Sequence, residues 1–225
     1  AGNIWDRETL ARNGALCKQY DVIVVSDEIH CDLTKPGTEY IPFASVDDTC
    51  RDISVTCIAP TKTFNLAGLQ TAAVYAENSI LHHRMWRQLN TDEVAEPNAF
   101  AIQATIAAFQ YGEEWLDELR EYVEKNKQYV TEFLQEKIPL IHPVAGDATY
   151  LMWLDCRKIT ESGRQFAKFI RKTSGLYVSG GNQYGKGGEG FLRVNVATSK
   201  LVVEDGMQRL YESVDAWLKE EKISK

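Results

Sequence analysis

The chain has 225 residues, enough for one large domain or two small ones, and its 44% hydrophobic and 25% charged residues are ordinary for a globular protein. A net charge of −7 without a basic run argues against nucleic acid or an anionic membrane as a partner. We expect neither a signal peptide nor a membrane span, because the N-terminus is polar and no apolar stretch approaches the roughly 18 residues that cross a bilayer.

The first part of the chain is predicted to alternate helices and strands. Asp6 is predicted to cap the first helix, because apolar residues follow it at helical spacing. The β-branched run at 21–26 is typical of a strand buried on both faces of a parallel sheet. Two further strands are predicted at 53–58 and 71–76.

Residues 79–135 show a helical pattern, broken at Pro97 and Asn98 and continued in a long amphipathic helix that ends at Pro139. We interpret its aromatic residues as core. A smaller α+β unit is predicted to follow, with strands at 149–154, 176–179 and 190–196 and helices at 163–172 and 204–219. The predicted organisation is therefore a first domain at 1–90, interdomain helices at 91–135 and a small domain at 136–225.

Two side chains follow predicted strands and suggest shared chemistry. Lys62 lies among small, hydroxylated and apolar residues, and burial there would favour a neutral amine that can form a Schiff base with a carbonyl. Asp27, at the end of the first strand, can hold the ring nitrogen of a pyridine in its charged form. Because sites gather at the carboxyl ends of strands in α/β sheets, the pair predicts a pyridoxal-phosphate site. The alternative is that Lys62 is an exposed loop lysine and Asp27 caps a turn.

Two features of the last third also bear on function. The glycine-rich run at 180–190 matches no nucleotide-binding motif and is interpreted either as a flexible loop beside a site or as an ordinary hairpin connection. Arg193 stands in an otherwise apolar strand. A buried arginine needs an anion, which is either a bound carboxylate or an internal salt-bridge partner.

The cysteines and histidines predict neither disulfides nor a metal site. The five cysteines are odd in number and form no CxxC pair, which is typical of free thiols in a reducing, cytoplasmic compartment. The four histidines show no metal-ligand spacing, and the adjacent rings of His82 and His83 would diverge on a helix.

Four segments, at 27–30, 59–69, 148–155 and 191–195, occur in an order and at separations that resemble the fold-type I, class I and II aminotransferase superfamily. More narrowly, the chain resembles the MalY/PatB branch of cystathionine β-lyases. The resemblance implies an α/β, pyridoxal-phosphate-dependent transferase-like fold: the remainder of a mostly parallel-sheet large domain, followed by a smaller α+β C-terminal domain. It covers the whole chain but only the later part of the family, so we expect that an N-terminal segment is missing.

The resemblance also implies roles for individual residues. Lys62 would bind pyridoxal phosphate covalently and then act as the acid and base at the substrate α-carbon. Asp27 would pair with the pyridinium nitrogen, and His30 would stand near the phenolic oxygen of the cofactor. Arg193 would bind the substrate α-carboxylate, and Tyr150 would line the pocket.

Two positions depart from the family pattern. Ala59 stands where relatives often carry a phosphate-binding serine or threonine, although Thr61 keeps a hydroxyl near the cofactor. Gln70 stands where many aminotransferases carry an arginine. A neutral glutamine cannot balance a phosphate dianion, so the phosphate would rely on backbone N–H groups, largely from the missing segment.

The implied function is a carbon–sulfur β-lyase that converts cystathionine or a related cysteine S-conjugate to a thiol, pyruvate and ammonia. His30 and Gln70 favour this reaction over that of an aminotransferase, which is the alternative enzyme. The family further implies a small amino-acid substrate and a homodimer. An alternative of another class is an inactive fragment that exposes apolar surface and acts as a structural or self-associating unit.

Overall fold

The computed structural model describes residues 2–223, which divide into two compact units. One unit is Ile4–Arg120, and the other consists of residues 121–223 with residues 2 and 3. The chain passes from one to the other within helix α6, Glu113–Lys137. None of the described helices combines the length and the hydropathy needed to span a bilayer.

The first unit carries a three-stranded sheet with helices. Its strands are β1 Val24–Asp27, β2 Ser54–Ile58 and β3 Ala73–Tyr75, and its complete helices are α1 Arg7–Gln19, α2 Asp48–Asp52, α3 Pro60–Thr63, α4 Ser79–Thr91 and α5 Ala101–Tyr111. The strand order is β1-β2-β3, with β1 parallel and β3 antiparallel to β2. The strands predicted at 53–58 and 71–76 are thus present, and the first strand begins later than predicted.

Local sequence explains how this unit begins. Asp6 caps α1 as predicted, because its carboxylate accepts a 2.7 Å hydrogen bond from the backbone N–H of Thr9. The buried face of α1 presents Leu10 to a small core that also contains Phe43, Cys50 and Ile53. This core packs α1 and α2 together beside the sheet.

The prediction that β1 is buried on both faces is wrong for this chain. Val25 is 67% exposed, and Val22 and Ile23, just before the strand, are each 49% exposed. The physical reason is coverage of the faces: Val24 packs against the core of α1 and α2, whereas Val25 points to the opposite face of the sheet and stays exposed. On α5, Ile102, Ile106 and Phe109 are also half exposed or more. The first unit therefore presents a large apolar surface.

The second unit has an antiparallel sheet and three helices. Its strands are β4 His142–Pro143, β5 Leu151–Asp155, β6 Ser179–Gly180 and β7 Phe191–Asn195, and the later part of α6 is joined by α7 Gly163–Ser174 and α8 Lys200–Ile223. The strand order is β4-β5-β7-β6. Of the strand predicted at 176–179, only Ser179 pairs with β7. The smaller α+β unit and the α/β class of the chain are confirmed.

An aromatic cluster joins the last two helices of the second unit. The Trp217 ring on α8 lies 5.3 Å from the Phe166 ring and 5.0 Å from the Phe169 ring, both on α7. Its indole N–H donates a 3.0 Å bond to the carbonyl of Ile159. Because the polar end of the indole is paired, the tryptophan fills the core without leaving a donor unsatisfied.

Asn126 is a buried polar anchor of the second unit, at 3% exposure. Its side-chain amide donates bonds of 2.9 Å to the carbonyls of Val196 and Thr198, which follow β7. We expect Asn126→Leu to lower the free energy of unfolding by about 2–4 kcal/mol, because the buried carbonyl of Val196 and the part-buried carbonyl of Thr198 would lose their donor. Urea unfolding measures this, with the exposed Gln128→Leu on the same helix as the control. Equal stability of the two variants would contradict the expectation.

Candidate active site

The two residues expected to hold the cofactor lie at one edge of the first unit's sheet. Asp27, the last residue of β1, pairs in register with Cys57, and Ile58 of β2 pairs with Ala73 of β3. Adjacent strands lie about 4.8 Å apart. Lys62 lies four residues beyond Ile58, in helix α3. The strand register therefore brings Asp27 and the lysine segment to the same edge.

Helix α3 holds its backbone by contacts on both sides of Lys62. Pro60 opens the helix with its fixed φ. Thr63 is fully buried, and its hydroxyl donates a 2.9 Å bond to the Asp32 carboxylate. The Phe64 ring meets the Phe109 ring edge-on at 5.4 Å. These contacts fix the direction in which the lysine leaves the sheet.

The two acidic residues at the end of β1, Asp27 and Glu28, differ in exposure. The Glu28 carboxylate is 5% exposed and accepts bonds from the Ser26 hydroxyl at 2.9 Å and the Phe43 N–H at 3.1 Å. Strand alternation places the neighbouring Asp27 on the opposite side, where it is exposed. From the described residues, its carboxylate accepts only a long 3.3 Å bond, donated by the Ile29 N–H. Glu28 thus anchors the turn, and Asp27 keeps oxygen lone pairs for a ligand.

Lys62 is exposed, in agreement with the alternative considered from sequence, although it lies in helix α3 and not in a loop. The reason is the geometry of α3: Thr61 and Thr63 occupy its buried side, and Lys62 extends from the other side. His30 is half-buried in the turn after β1.

Two thiols near this edge are poor nucleophiles. Burial raises the pKa of Cys31 to about 12, and the carboxylates of Asp32 and Glu28 add to the rise. The pKa of Cys57 is also raised, by burial first and then by Asp27 and Glu28. Both thiols are therefore less inclined to form the reactive thiolate than an ordinary cysteine.

A cavity of ≈ 500 Å³ adjoins the lysine segment, and both departures from the family pattern, Ala59 and Gln70, line it. Its described lining includes Glu96 but no lysine or arginine. Gln70 has a left-handed backbone with φ 48°, and the Asn98 amide donates to the carbonyl of Leu69 just before it. The sequence analysis did not predict this hydrogen bond of Asn98. An asparagine directly after a proline is typical of a turn whose side chain bonds to the backbone, and that pattern could have indicated it.

In the second unit, Arg193 lies in the middle of β7, opposite Trp153 of β5 and Ser179 of β6. It is half-buried rather than buried, because its guanidinium lies 4.3 Å from the centre of the Tyr184 ring near the surface. Within the described part of the chain, Arg193 makes no ion pair. The internal salt bridge considered from sequence is therefore not formed there.

Tyr150 and Arg193 are brought together. Burial raises the pKa of Tyr150, and the positive charge of Arg193 opposes the rise. Thr149, just before this tyrosine, has φ 61°, a strained value for a β-branched residue. The sequence analysis did not predict that Tyr184 contacts Arg193. An aromatic residue within the glycine-rich run was the feature that could have indicated it.

The glycine-rich run is a compact hairpin connection between β6 and β7, with two short 3-10 turns at Gly181–Tyr184 and Lys186–Gly188. A Cβ atom on Gly188 would lie 2.0 Å from the Gly181 carbonyl oxygen. Glycine at these positions allows the backbone at Gly188 to pack against the backbone at Gly181. This close packing favours the hairpin interpretation over a flexible loop.

Comparison with known proteins gives consistent matches. The sequence model of the family "Aminotransferase class I and II" matches residues 1–210. Cystathionine beta-lyase PatB of Bacillus subtilis is 40% identical over 210 residues, 93% of this chain and 54% of PatB. Protein MalY of Escherichia coli is 30% identical over 216 residues, 96% of this chain and 55% of MalY.

Among solved structures, the PLP-bound C-S lyase from Staphylococcus hominis superposes with a TM-score of 0.85 at 33% identity, over 95% of this chain and 54% of the lyase. The chain therefore spans about half the length of the relatives it matches.

Proposed function

The chain belongs to the class I and II aminotransferase family, and on that premise we propose that the whole protein is a pyridoxal-phosphate-dependent carbon–sulfur β-lyase. Its substrates would be cystathionine or related cysteine S-conjugates, and its products a thiol, pyruvate and ammonia. The observation that carries the proposal is the placement of Asp27 and Lys62 at one sheet edge on fixed backbone.

The residues of the first unit fit the cofactor. Lys62 supplies an exposed primary amine, and Asp27 supplies an exposed carboxylate that accepts a 3.3 Å bond from the backbone N–H of Ile29. His30 lies in the turn after β1, three residues beyond Asp27. Thr61 lies on the buried side of α3, opposite Lys62, so its position does not support the cofactor contact expected from the resemblance. The cavity lining offers no cation for the phosphate, so we infer that its charge is balanced by groups outside that lining.

Pyridoxal phosphate, when bound, supplies an electron sink for the pair left at the substrate α-carbon. Lys62 holds the cofactor, and in the reaction its amine takes the proton from the α-carbon. Asp27 keeps a proton on the pyridine nitrogen by placing a negative charge beside it. Arg193 binds the α-carboxylate of the substrate through its planar fork, and Tyr150 beside it lines the substrate pocket.

An aminotransferase is the alternative enzyme, since the family includes both reactions. His30 and Gln70 support the lyase because the resemblance associates them with that branch. PatB is named as a cystathionine beta-lyase, and the Staphylococcus hominis relative as a C-S lyase. An inactive, self-associating unit is the alternative of another class, and the exposed apolar residues of α5 favour it for this chain alone. The same residues support a homodimer for the whole protein.

Product analysis separates these functions. With L-cystathionine and pyridoxal phosphate but no keto acid, we expect the whole protein to release pyruvate in step with a free thiol. An aminotransferase would instead need an added keto acid and would yield a new amino acid. The absence of both products from the whole protein would contradict the proposal. The chain of 225 residues is assayed beside it to measure what this portion retains.

A further inference from the structure

Helix α7 of the second unit carries a face of uniform positive charge. Arg164, Lys168 and Arg171 are spaced at i, i+4 and i+7, so they lie on one side of the helix. The helix Gly163–Ser174 contains no aspartate or glutamate. The positive charge of this face contrasts with the net charge of −7 of the whole chain.

These three side chains line a cavity of ≈ 260 Å³. The remaining lining residues are Ala167, Tyr177, Val178, Gly180 and Gln183. The small side chains leave room between the cations, and Gln183 and Tyr177 add hydrogen-bonding groups. The described lining contains no carboxylate, and Lys168 and Arg171 form no ion pair with any described residue.

Two of the cations are held in position. In the amide orientation that satisfies both groups, the Asn182 oxygen accepts bonds from Arg164 Nε at 3.0 Å and Nη2 at 3.3 Å. The Arg171 guanidinium lies 5.2 Å from the centre of the Tyr177 ring. Less side-chain entropy is therefore lost when these groups bind a ligand.

The helix dipole does not explain all of the positive charges on this face of α7. Cations in the last turn, such as Arg171 and Lys172, are favoured by the dipole. Arg164, in contrast, lies in the first turn, where the dipole disfavours positive charge. An anion at this cavity would offset that cost and the mutual repulsion of the three cations.

We propose that the α7 cavity binds the phosphate groups of a small polyphosphorylated ligand. Seven residues separate Arg164 from Arg171, a rise of roughly 10 Å along the helix. This distance is greater than the width of a single carboxylate or phosphate group and matches the length of two or more linked phosphates. The site lies wholly within the second unit and is independent of the proposed lyase reaction.

Calorimetric titration of the purified chain with pyrophosphate tests the proposal. We expect saturable binding that weakens as salt is raised, and an increase of the Kd by about tenfold or more in Lys168→Gln/Arg171→Gln. Both side chains are exposed, so the variant is expected to fold.

The matched control is Lys125→Gln/Lys137→Gln, which removes the same charge from exposed positions on α6. We expect its Kd to stay within about twofold of the unmodified chain. Exposed charges far from the cavity are screened by salt and contribute little to the binding free energy. Equal weakening in both variants would show a net-charge effect and overturn the proposal. Unchanged binding in the α7 variant would also overturn it and place the anion elsewhere, for instance at the cofactor edge.

Discussion

Replacing Lys62 with alanine is expected to abolish covalent retention of pyridoxal phosphate and to lower the lyase activity of the whole protein by at least about 10²–10⁴-fold. The reason is that one amine performs two tasks, attachment of the cofactor and proton transfer at the α-carbon. Because Lys62 is exposed on α3 and Thr63 keeps its bond to Asp32, the substitution removes the amine without disturbing the buried side of the helix.

Attachment is measured separately from activity. The protein is incubated with pyridoxal phosphate, reduced with borohydride and digested, and the added mass is assigned to a peptide. We expect it on the peptide that contains Lys62. Lys18→Ala is the control, because Lys18 is an exposed lysine of the same unit that pairs with Asp52. Attachment at another lysine, or full activity in Lys62→Ala, would remove Lys62 from the mechanism.

Replacing Arg193 with methionine is expected to lower kcat/KM by roughly 10²- to 10⁴-fold, chiefly through KM. Hydrogen bonds to charged groups contribute about 1.5–3 kcal/mol each, and a guanidinium binds a carboxylate through two of them. The arginine is available for this role because its described contacts are with the Tyr184 ring and not with a carboxylate. Steady-state kinetics with cystathionine measure the effect.

Two comparisons distinguish carboxylate binding from structural damage. Arg157→Met is the control, since Arg157 is exposed and pairs with Asp155 at the end of β5. A substrate analogue without the α-carboxylate should react poorly with the unmodified protein and lose little more in Arg193→Met. If Arg193→Met loses the same factor with both substrates, the arginine does not bind the carboxylate.

The part of the site that depends on strand ends was predictable. Once 21–26 and 53–58 are recognised as neighbouring strands, Asp27 and the Lys62 segment must emerge at one edge, and the register shows that they do. The Asp6 cap was equally predictable, because a cap is a local contact between residues three apart.

Exposure was not predictable in the same way. The apolar run before Asp27 specifies a strand, but it does not specify whether another element covers each face, and in this chain the face that carries Val25 is exposed. The exposure of Lys62 was left open for the same reason, since small neighbours show that a turn is tight but not which side of it faces the core. The bonds of Asn98 to Leu69 and of Asn126 to Val196 join residues 29 and 70 positions apart, and no local pattern encodes them.

The exposed edge strand has a consequence for how the chain behaves at high concentration. One side of β1 presents unpaired backbone donors and acceptors beside exposed valines, with no proline or lysine in the strand to discourage a second strand from pairing there. Intermolecular strand addition is then limited mainly by repulsion between molecules of net charge −7. The colloidal stability of the isolated chain should accordingly fall as the pH approaches its isoelectric point near 5.2 or as salt screens that charge.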